Sequence, residues 1–139
     1  MSYILRFDGA SKCNPGEAGS GAVIFKDGKS IAQTYKYIGS YSTNNQAEYN
    51  GLIIGLELAI SLKIDSLLIQ GDSKLVIEQV SGNWKVKNPE LQLLYEAVMR
   101  LIKEFDCLKI QYIPRKNNSI ADFLANKAVR TKDRKVIFD

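Results

Sequence analysis

The chain has 139 residues, of which 45% are hydrophobic, and its formal charge at neutral pH is +4. This length is enough to bury one full core and too short for two ordinary domains, so we expect a single domain over residues 1–139. The sequence contains no histidine. That absence excludes serine and cysteine hydrolases with a histidine base, as well as most zinc enzymes. Any catalysis must therefore depend on carboxylates, lysines or metal ions held by oxygen.

The two cysteines, Cys13 and Cys107, lie far apart and belong to no CxxC or Cys/His motif. They predict neither a disulfide framework nor a zinc site. The longest apolar run, over residues 52–60, is interrupted by Gly55 and Glu57, and the N-terminus has no signal-like segment. We therefore expect a cytoplasmic protein without a membrane segment. Its moderate positive charge permits a polyanionic partner but does not require one.

The first third of the chain has the pattern of antiparallel strands. Residues 3–7 alternate between two faces and stop at Asp8, which predicts a strand that ends in a loop. After a turn at residues 14–16, two further strand-like segments flank Asp27 and Gly28, a strong hairpin signal. These features predict a three-stranded antiparallel meander.

The period changes to that of a helix at Asn45, and a long amphipathic segment extends to about residue 60. Residues 66–70 then form a short apolar run that predicts a buried strand. Either Asp72 or Ser73 is expected to cap a brief helix after this strand.

The second half of the chain continues the alternation of strands and helices. Asn88 is a predicted N-cap, since Pro89 occupies the first position of the following helix. A strand, a loop and a last helix are predicted over residues 108–113, 114–118 and 119–130. The basic segment from Thr131 has no clear period. The whole pattern predicts an α/β fold with a mixed sheet flanked by helices, because parallel neighbours need helical crossovers.

Four carboxylates occupy the predicted ends of these elements. Asp8 and Asp72 terminate predicted strands, whereas Glu48 and Asp122 lie in the first turns of predicted helices. Each has an ordinary explanation by itself, as a turn residue, a helix cap or part of a capping box. Their joint placement favours a site, because sites in open α/β sheets form at the carboxyl edge. Four oxygen donors there could hold two divalent cations for hydrolysis at phosphorus.

The segments around these acids resemble the four signature blocks of type 1 ribonuclease H, in the same order over nearly the whole chain. The blocks are residues 7–11, 43–48, 71–73 and 121–125. The resemblance implies a five-stranded mixed sheet and a monomeric endoribonuclease that hydrolyses the RNA strand of RNA/DNA hybrids. It also implies that two Mg²⁺ ions, or Mn²⁺, bind the four acids, and that cleavage leaves 5′-phosphate and 3′-hydroxyl ends.

The resemblance extends to contacts with the substrate. In this family the loop after the first acid contacts RNA 2′-hydroxyl groups, by which a protein distinguishes RNA from DNA. In this chain that loop consists of Ser11, Lys12, Cys13 and Asn14. Asn44 and Asn45 correspond to residues that contact the minor groove.

Three further residues correspond to contacts with the DNA strand. Thr43 and Asn88 resemble members of a pocket that binds a phosphate, and Trp84 resembles the aromatic residue packed against deoxyribose. Ordinary alternatives exist for all three, namely helix caps for Thr43 and Asn88 and core packing for Trp84.

The sequence departs from the family pattern at three places. Many members have a histidine in the loop before the last acid, where this chain offers Arg115 or Lys116 for phosphate binding but no group that titrates near neutrality. Tyr41 stands where some members have an arginine of the phosphate pocket. A long basic protrusion is missing, and only residues 84–87 take its place. We therefore expect modest, salt-sensitive affinity for the substrate.

Other functions are also compatible with this pattern. A transposase or integrase core, or a junction resolvase, would share the architecture, but the compact chain and the Asn-rich block before Glu48 argue against them. A non-catalytic nucleic-acid binder should have lost at least one of the four acids. A dinucleotide-binding loop at Gly16, Gly19 and Gly21 is disfavoured, because this segment leads into a strand.

Overall fold

The structure is a computed structural model that describes residues 2–139. The elements in chain order are β1 (Tyr3–Ser11), β2 (Gly16–Lys26), β3 (Lys29–Ser42), α1 (Asn44–Ser61), β4 (Ser66–Gly71), α2 (Lys74–Val80), α3 (Pro89–Ile102), β5 (Cys107–Tyr112), α4 (Ser119–Thr131) and β6 (Arg134–Phe138). A single 3₁₀ turn over Arg115–Asn117 precedes α4.

The strands form one mixed sheet in the order β5-β4-β1-β2-β3-β6. The pairs β1–β2, β2–β3 and β3–β6 are antiparallel, whereas β1–β4 and β4–β5 are parallel. The predicted α/β class and the antiparallel meander are thus confirmed. The parallel pairs are joined through α1 and through α2 with α3, as parallel neighbours require.

The sheet has six strands, so the expected count of five is wrong. The additional strand is β6, which pairs with β3 from Ala32 opposite Phe138 to Lys36 opposite Arg134. Its side chains are mostly exposed, including Phe138 at 63%. The alternation of buried and exposed residues that marks other strands is therefore weak here, and β6 depends on hydrogen bonds that β3 supplies.

Strand β1 is longer than the sequence predicted, and Asp8 lies within it rather than in a following loop. Its antiparallel pairing with β2 continues to Ser11 opposite Ala18. Its parallel pairing with β4 ends earlier, at Phe7 opposite Gly71. Asp8 is therefore the first β1 residue beyond the parallel pairing, which still places it at the carboxyl edge of that part of the sheet.

Helices cover both faces of the sheet. Helix α1 packs against β1, β2 and β3 on one side and against α3 on the other, which explains why it is apolar around most of its circumference. Helix α4 lies on the opposite face, over β1 to β3. A small second core cluster there contains Val23, Tyr35, Leu124 and Ala128.

Gly19 and Gly21 of β2 allow α4 to approach the sheet closely. A Cβ atom at Gly21 would overlap the Leu124 side chain and the α4 backbone. This packing explains the spacing of these glycines without a bound dinucleotide. None of the helices in residues 2–139 has both the length and the apolar character that crossing a membrane requires.

Candidate active site

Three of the four carboxylates meet at the edge of the sheet. Asp8, Glu48 and Asp72 each offer an oxygen, and these atoms lie within 4.8 Å of one another. Asp122 lines the same depression. The depression, called the carboxylate pocket below, is lined by Asp8, Gly9, Ala10, Ser11, Lys12, Asn44, Glu48, Asp72, Arg115, Asp122 and Asn126.

Glu48 reaches Asp8 because α1 crosses β1 at very short range. A Cβ at Gly9 would overlap the backbone of Ala47 and Glu48, and one at Gly51 would overlap the backbone of Asp8. Only glycine permits this approach of backbone to backbone. The buried Ser20 hydroxyl also donates to the Ala47 carbonyl at 2.6 Å, which fixes the first turns of α1 against β2.

Asp8 is buried and Glu48 is partly buried at the base of the pocket, and their carboxylates repel one another. Asp8 is only 4% exposed. Burial, together with the charges of Asp72 and Asp122, raises the pKa of Asp8 from its ordinary value of 3.8 to about 7. Burial and the neighbouring Asp8 carboxylate raise the pKa of Glu48 well above its usual range. Without a cation, the pocket therefore holds protons that carboxylates elsewhere release at neutral pH.

The donor set fits a divalent metal ion. Glu48 Oε1 is buried and has no hydrogen-bond partner among the described residues. A buried acceptor without a partner is unfavourable unless an ion, a water or a ligand satisfies it. Converging carboxylate oxygens are the ligands preferred by hard cations such as Mg²⁺. Asp8, Glu48 and Asp72 would hold such an ion, with Asp122 at the rim of the pocket.

Asp122 contacts neighbouring hydrogen-bond donors and does not belong to the cluster of the other three acids. Arg115 Nη2 lies 4.0 Å from Asp122 Oδ1. Asn126 Nδ2 donates to the Asp122 carbonyl at 2.9 Å and lies 3.3 Å from Asp122 Oδ1. The amine of Lys12 donates in turn to Asn126 Oδ1 at 2.7 Å. Asn126 was missed in the sequence, although its position one helical turn after Asp122 could have revealed it.

The loop after β1 is hydrogen-bonded to the start of α1. The Ser11 amide donates to Asn44 Oδ1 at 2.8 Å, and the Asn44 amide donates to Asn14 Oδ1 at 2.9 Å. The Ser11 hydroxyl donates to the Ser42 carbonyl at 2.7 Å. Ser11, Lys12 and Asn44 therefore lie beside the acids, whereas Asn14 faces a second pocket and Cys13 is exposed between them.

That second pocket, called the amide pocket below, lies on the other side of the first turn of α1. It is lined by Asn14, Thr43, Asn45, Gln46, Asn88, Glu90 and Leu91. Thr43 and Asn88 share the pocket and are also helix caps: Thr43 caps α1 in a capping box with Gln46, and Asn88 caps α3. The caps that the sequence offered as alternatives for Thr43 and Asn88 are thus present.

An acid inside the amide pocket was not anticipated from the sequence. Glu90 accepts a hydrogen bond from Gln46 Nε2, and Gln46 Oε1 accepts one from the Thr43 amide at 2.8 Å. Tyr41, where some family members have an arginine, is 80% exposed and does not line this pocket. The amide pocket thus presents neutral polar groups and one negative charge.

Trp84 lies apart from both pockets. It is 46% exposed and lines a groove with Tyr95 and other residues of the α2–α3 region. Core packing, the ordinary alternative for this residue, is therefore wrong. Its indole presents an exposed surface on which a sugar or base could pack.

Asn118 is a second residue that the sequence analysis missed. It is 1% exposed and immediately precedes α4. Its Nδ2 atom donates to the Phe7 carbonyl at 2.8 Å and lies 3.4 Å from Asp72 Oδ1. Only its place at a helix start could have been recognised, because neither partner is near it in the sequence.

The chain is similar to known proteins over nearly its whole length. The family described as reverse transcriptase-like matches residues 6–128. A bifunctional protein of Mycobacterium tuberculosis is 44% identical over 131 residues, covering 93% of this chain but only 36% of the relative. The chain thus spans about a third of the length of that protein. A ribonuclease H of Pseudomonas syringae is 33% identical, with 92% of each chain covered.

Solved structures are also similar to this chain over nearly its whole length. Ribonuclease H1 of the archaeon Halobacterium salinarum superimposes with a TM-score of 0.89 at 39% identity, covering 93% of this chain and 98% of that one. The RNase H1 called LC11, solved in complex with an RNA/DNA hybrid, has a TM-score of 0.86 at 33% identity, covering 94% and 98%. With the fold and the order of the four acid blocks, these similarities show that the chain belongs to the type 1 ribonuclease H family.

Proposed function

We propose that this protein is a metal-dependent endoribonuclease that hydrolyses the RNA strand of RNA/DNA hybrids and leaves 5′-phosphate and 3′-hydroxyl ends. The observation that carries the proposal is the convergence of Asp8, Glu48 and Asp72 within 4.8 Å, with an unpartnered buried oxygen on Glu48. The hybrid bound to the related LC11 enzyme supports the choice of substrate.

We assign catalysis to Asp8, Glu48, Asp72 and Asp122 as ligands of two Mg²⁺ ions, with Mn²⁺ as an alternative. Such ions, when bound, activate a water and stabilise the leaving oxygen in displacement at phosphorus. Asp8 and Glu48 must lose the protons that burial favours before they can serve as ligands. Metal binding should therefore release protons near neutral pH.

The two positively charged side chains of the carboxylate pocket are assigned to phosphate attraction rather than to metal binding. The Lys12 amine and the Arg115 guanidinium line its rim. Their positive charges would attract the phosphates of a duplex toward a pocket that is otherwise negative. Without them, a scissile phosphate would meet four carboxylates and no positive charge among the lining residues until the metal ions are bound.

Recognition of the hybrid is assigned to the surfaces on either side of the first turn of α1. Backbone and side-chain groups of the loop at residues 11–14, together with Asn44 and Asn45, would contact the minor groove and RNA 2′-hydroxyl groups. Thr43 and Asn88 would bind a phosphate of the DNA strand, and Trp84 would pack against a deoxyribose. The position of Ser11, Lys12 and Asn44 beside the acids supports this assignment.

We further propose that residues 1–139 act as a single domain, as a monomer and in the cytoplasm. One sheet with helices on both faces supports the single domain. Both cysteines are free and exposed, which suits a reducing compartment.

A cleavage assay tests the proposal directly. End-labelled RNA/DNA, RNA/RNA and DNA/DNA duplexes are incubated with the protein in Mg²⁺, in Mn²⁺ and in chelator. We expect cleavage of the RNA/DNA hybrid but not of DNA/DNA, and only with a divalent ion, while the RNA/RNA reaction measures whether double-stranded RNA is also cut. Cleavage that continues in chelator, or equal cleavage of DNA/DNA, would contradict the proposal.

The ends of the products provide a second readout from the same reaction. Fragments with a 3′-hydroxyl serve as primers for a polymerase without further treatment, and fragments with a 5′-phosphate are joined by a ligase. Products that need phosphatase treatment before extension would show cleavage with the opposite end chemistry.

A further inference from the structure

This inference rests on the proposed metal site and concerns a residue outside the four acids. Asn118 is nearly fully buried beside Asp72, yet its side chain makes no cap bond to α4. Its Oδ1 atom has no hydrogen-bond partner among the described residues. A buried amide that is not used as a helix cap carries a cost, so its remaining contacts should matter.

Those contacts link the segments that carry three of the acids. The Nδ2 atom donates to the carbonyl of Phe7, the residue before Asp8, and lies 3.4 Å from Asp72 Oδ1. The backbone carbonyl of Asn118 also accepts the amide of Asp122 at 3.1 Å, in the first turn of α4. One residue therefore contacts β1, the end of β4 and the start of α4.

The chemistry of the two partners explains why an amide stands here. The Phe7 carbonyl and the Asp72 Oδ1 atom are both placed as acceptors, so the group between them must donate twice. The Nδ2 atom of asparagine carries two hydrogens, whereas a serine hydroxyl has one and an ionised aspartate has none. Asparagine meets this demand within the space of a short side chain.

We propose that Asn118 is a positioning residue of the carboxylate pocket: its amide sets the spacing between Asp72 and the β1 backbone at Asp8, and thereby the fit for a divalent ion. It acts through the metal ligands and contacts neither the substrate nor the reacting atoms. Partners that orient metal ligands typically contribute a factor of about 10 to 100 in metal affinity.

The principal test compares Asn118→Ala with the unchanged protein in thermal melts over a range of Mg²⁺ and Mn²⁺ concentrations. We expect the variant to need at least about tenfold more metal for half of the maximal rise in Tm. Its kcat at a fixed, subsaturating Mg²⁺ concentration should fall by a similar factor, while KM for the hybrid changes less than about twofold.

Thr34→Val provides the matched control. Thr34 is also buried, and its hydroxyl donates to a backbone carbonyl, that of Lys135, at 2.9 Å. The control removes one comparable hydrogen bond on the side of the sheet where β3 meets β6. It should lower the metal-free Tm without changing the metal concentration at half effect.

An NMR measurement on proteins that retain Asn118 decides the matter even if Asn118→Ala does not fold. The side-chain amide signals of Asn118 in ¹⁵N spectra should shift on addition of Mg²⁺, with the same half-saturation as the Gly9 backbone amide. They should also shift in Asp72→Asn. Signals that respond to neither change would overturn the proposal.

The outcomes also separate this inference from the proposed function. If the unchanged protein shows no rise in Tm with either metal, the metal site itself is wrong. If it responds to metal and Asn118→Ala responds at the same concentrations, Asn118 has a structural role only and the inference fails.

Discussion

The carboxylate pocket and the amide pocket flank the same first turn of α1 but contain different charged groups. Asn44 lines the first and Asn45 the second. The carboxylate pocket combines four acids with two cations, whereas the amide pocket has no cation among its lining residues and a single acid, Glu90. The first suits metal ions, and the second can hold a phosphate only through neutral donors. Catalysis and binding strength should therefore respond to different substitutions.

The largest difference between an effect on catalysis and an effect on binding is expected for Asp8→Asn. A neutral amide keeps the shape of the side chain but removes a charge from the metal site, which should lower the single-turnover rate by about 10³-fold or more. Binding of the hybrid in Ca²⁺ should change little. Asn88→Ser in the amide pocket should show the reverse, with weaker binding and an almost unchanged rate.

Asp27→Asn serves as the control for this experiment. Asp27 lies in the β2–β3 hairpin, at the opposite end of the sheet from Asp8. Its positive φ of 51° is one that asparagine also tolerates. Turnover by purified Asp8→Asn equal to that of Asp27→Asn would refute the assignment of the carboxylate pocket.

A second contrast concerns the pH dependence of cleavage. The chain contains no histidine, and at saturating Mg²⁺ the acids of the carboxylate pocket serve as metal ligands, so water or hydroxide must accept the proton of the attacking water. We expect the logarithm of the single-turnover rate at saturating Mg²⁺ to rise with a slope of about one from about pH 6 to about pH 9. Lys116→His should flatten this rise by adding a group that titrates near about pH 6.5. A plateau that begins near neutrality in the unchanged protein would contradict this account.

A smaller effect is expected on stability in chelator. The pKa of Asp8 is higher in the folded chain, about 7, than its ordinary value of 3.8. The folded state therefore binds more protons between these values, and its free energy of unfolding must fall as pH rises from about 4 to about 7. Asp8 should account for a loss of about 2–4 kcal/mol over this range.

Urea denaturation at several pH values measures this slope. Asp8→Asn should reduce the slope but not abolish it, because burial also raises the pKa of Glu48, while Asp27→Asn should retain the full slope. Saturating Mg²⁺ should restore stability at pH 8, because the ion replaces the missing protons. An Asp8→Asn protein with the same pH slope as the unchanged protein would show that Asp8 is not the group responsible.

The smallest expected effect tests the charge of the amide pocket. Glu90→Gln removes the only negative charge from a pocket assigned to a phosphate, so hybrid binding should tighten about twofold to fivefold at low salt. Glu104→Gln, beyond the other end of α3, removes the same charge about 20 Å away and should change affinity less. An equal increase in affinity from both substitutions would indicate a general charge effect. No increase from Glu90→Gln would contradict the assignment of a phosphate site to the amide pocket.

The order of strands and helices was predictable because it depends on local signals. The helix from Asn45, the cap at Asn88 and the hairpin at Asp27 follow from periodicity and from turn and cap residues close in sequence. The end of β1 was misjudged because Asp8 and Gly9 resemble a turn, although β2 continues to pair with them as far as Ser11. Strand β6 was missed for a related reason, since its exposed residues carry little hydrophobic pattern.

The sequence by itself predicted which acids to expect together, since four blocks in order indicated their placement at the edge of one sheet. Only the tertiary structure decided which three lie within 4.8 Å and which one stands apart. It also decided that Asn126 and Glu90 line the two pockets and that Asn118 lies beside Asp72. Their partners lie up to 114 residues away in the chain. Periodicity reports which face of an element is buried, but a hydrogen bond between distant segments exists only once packing has brought them together.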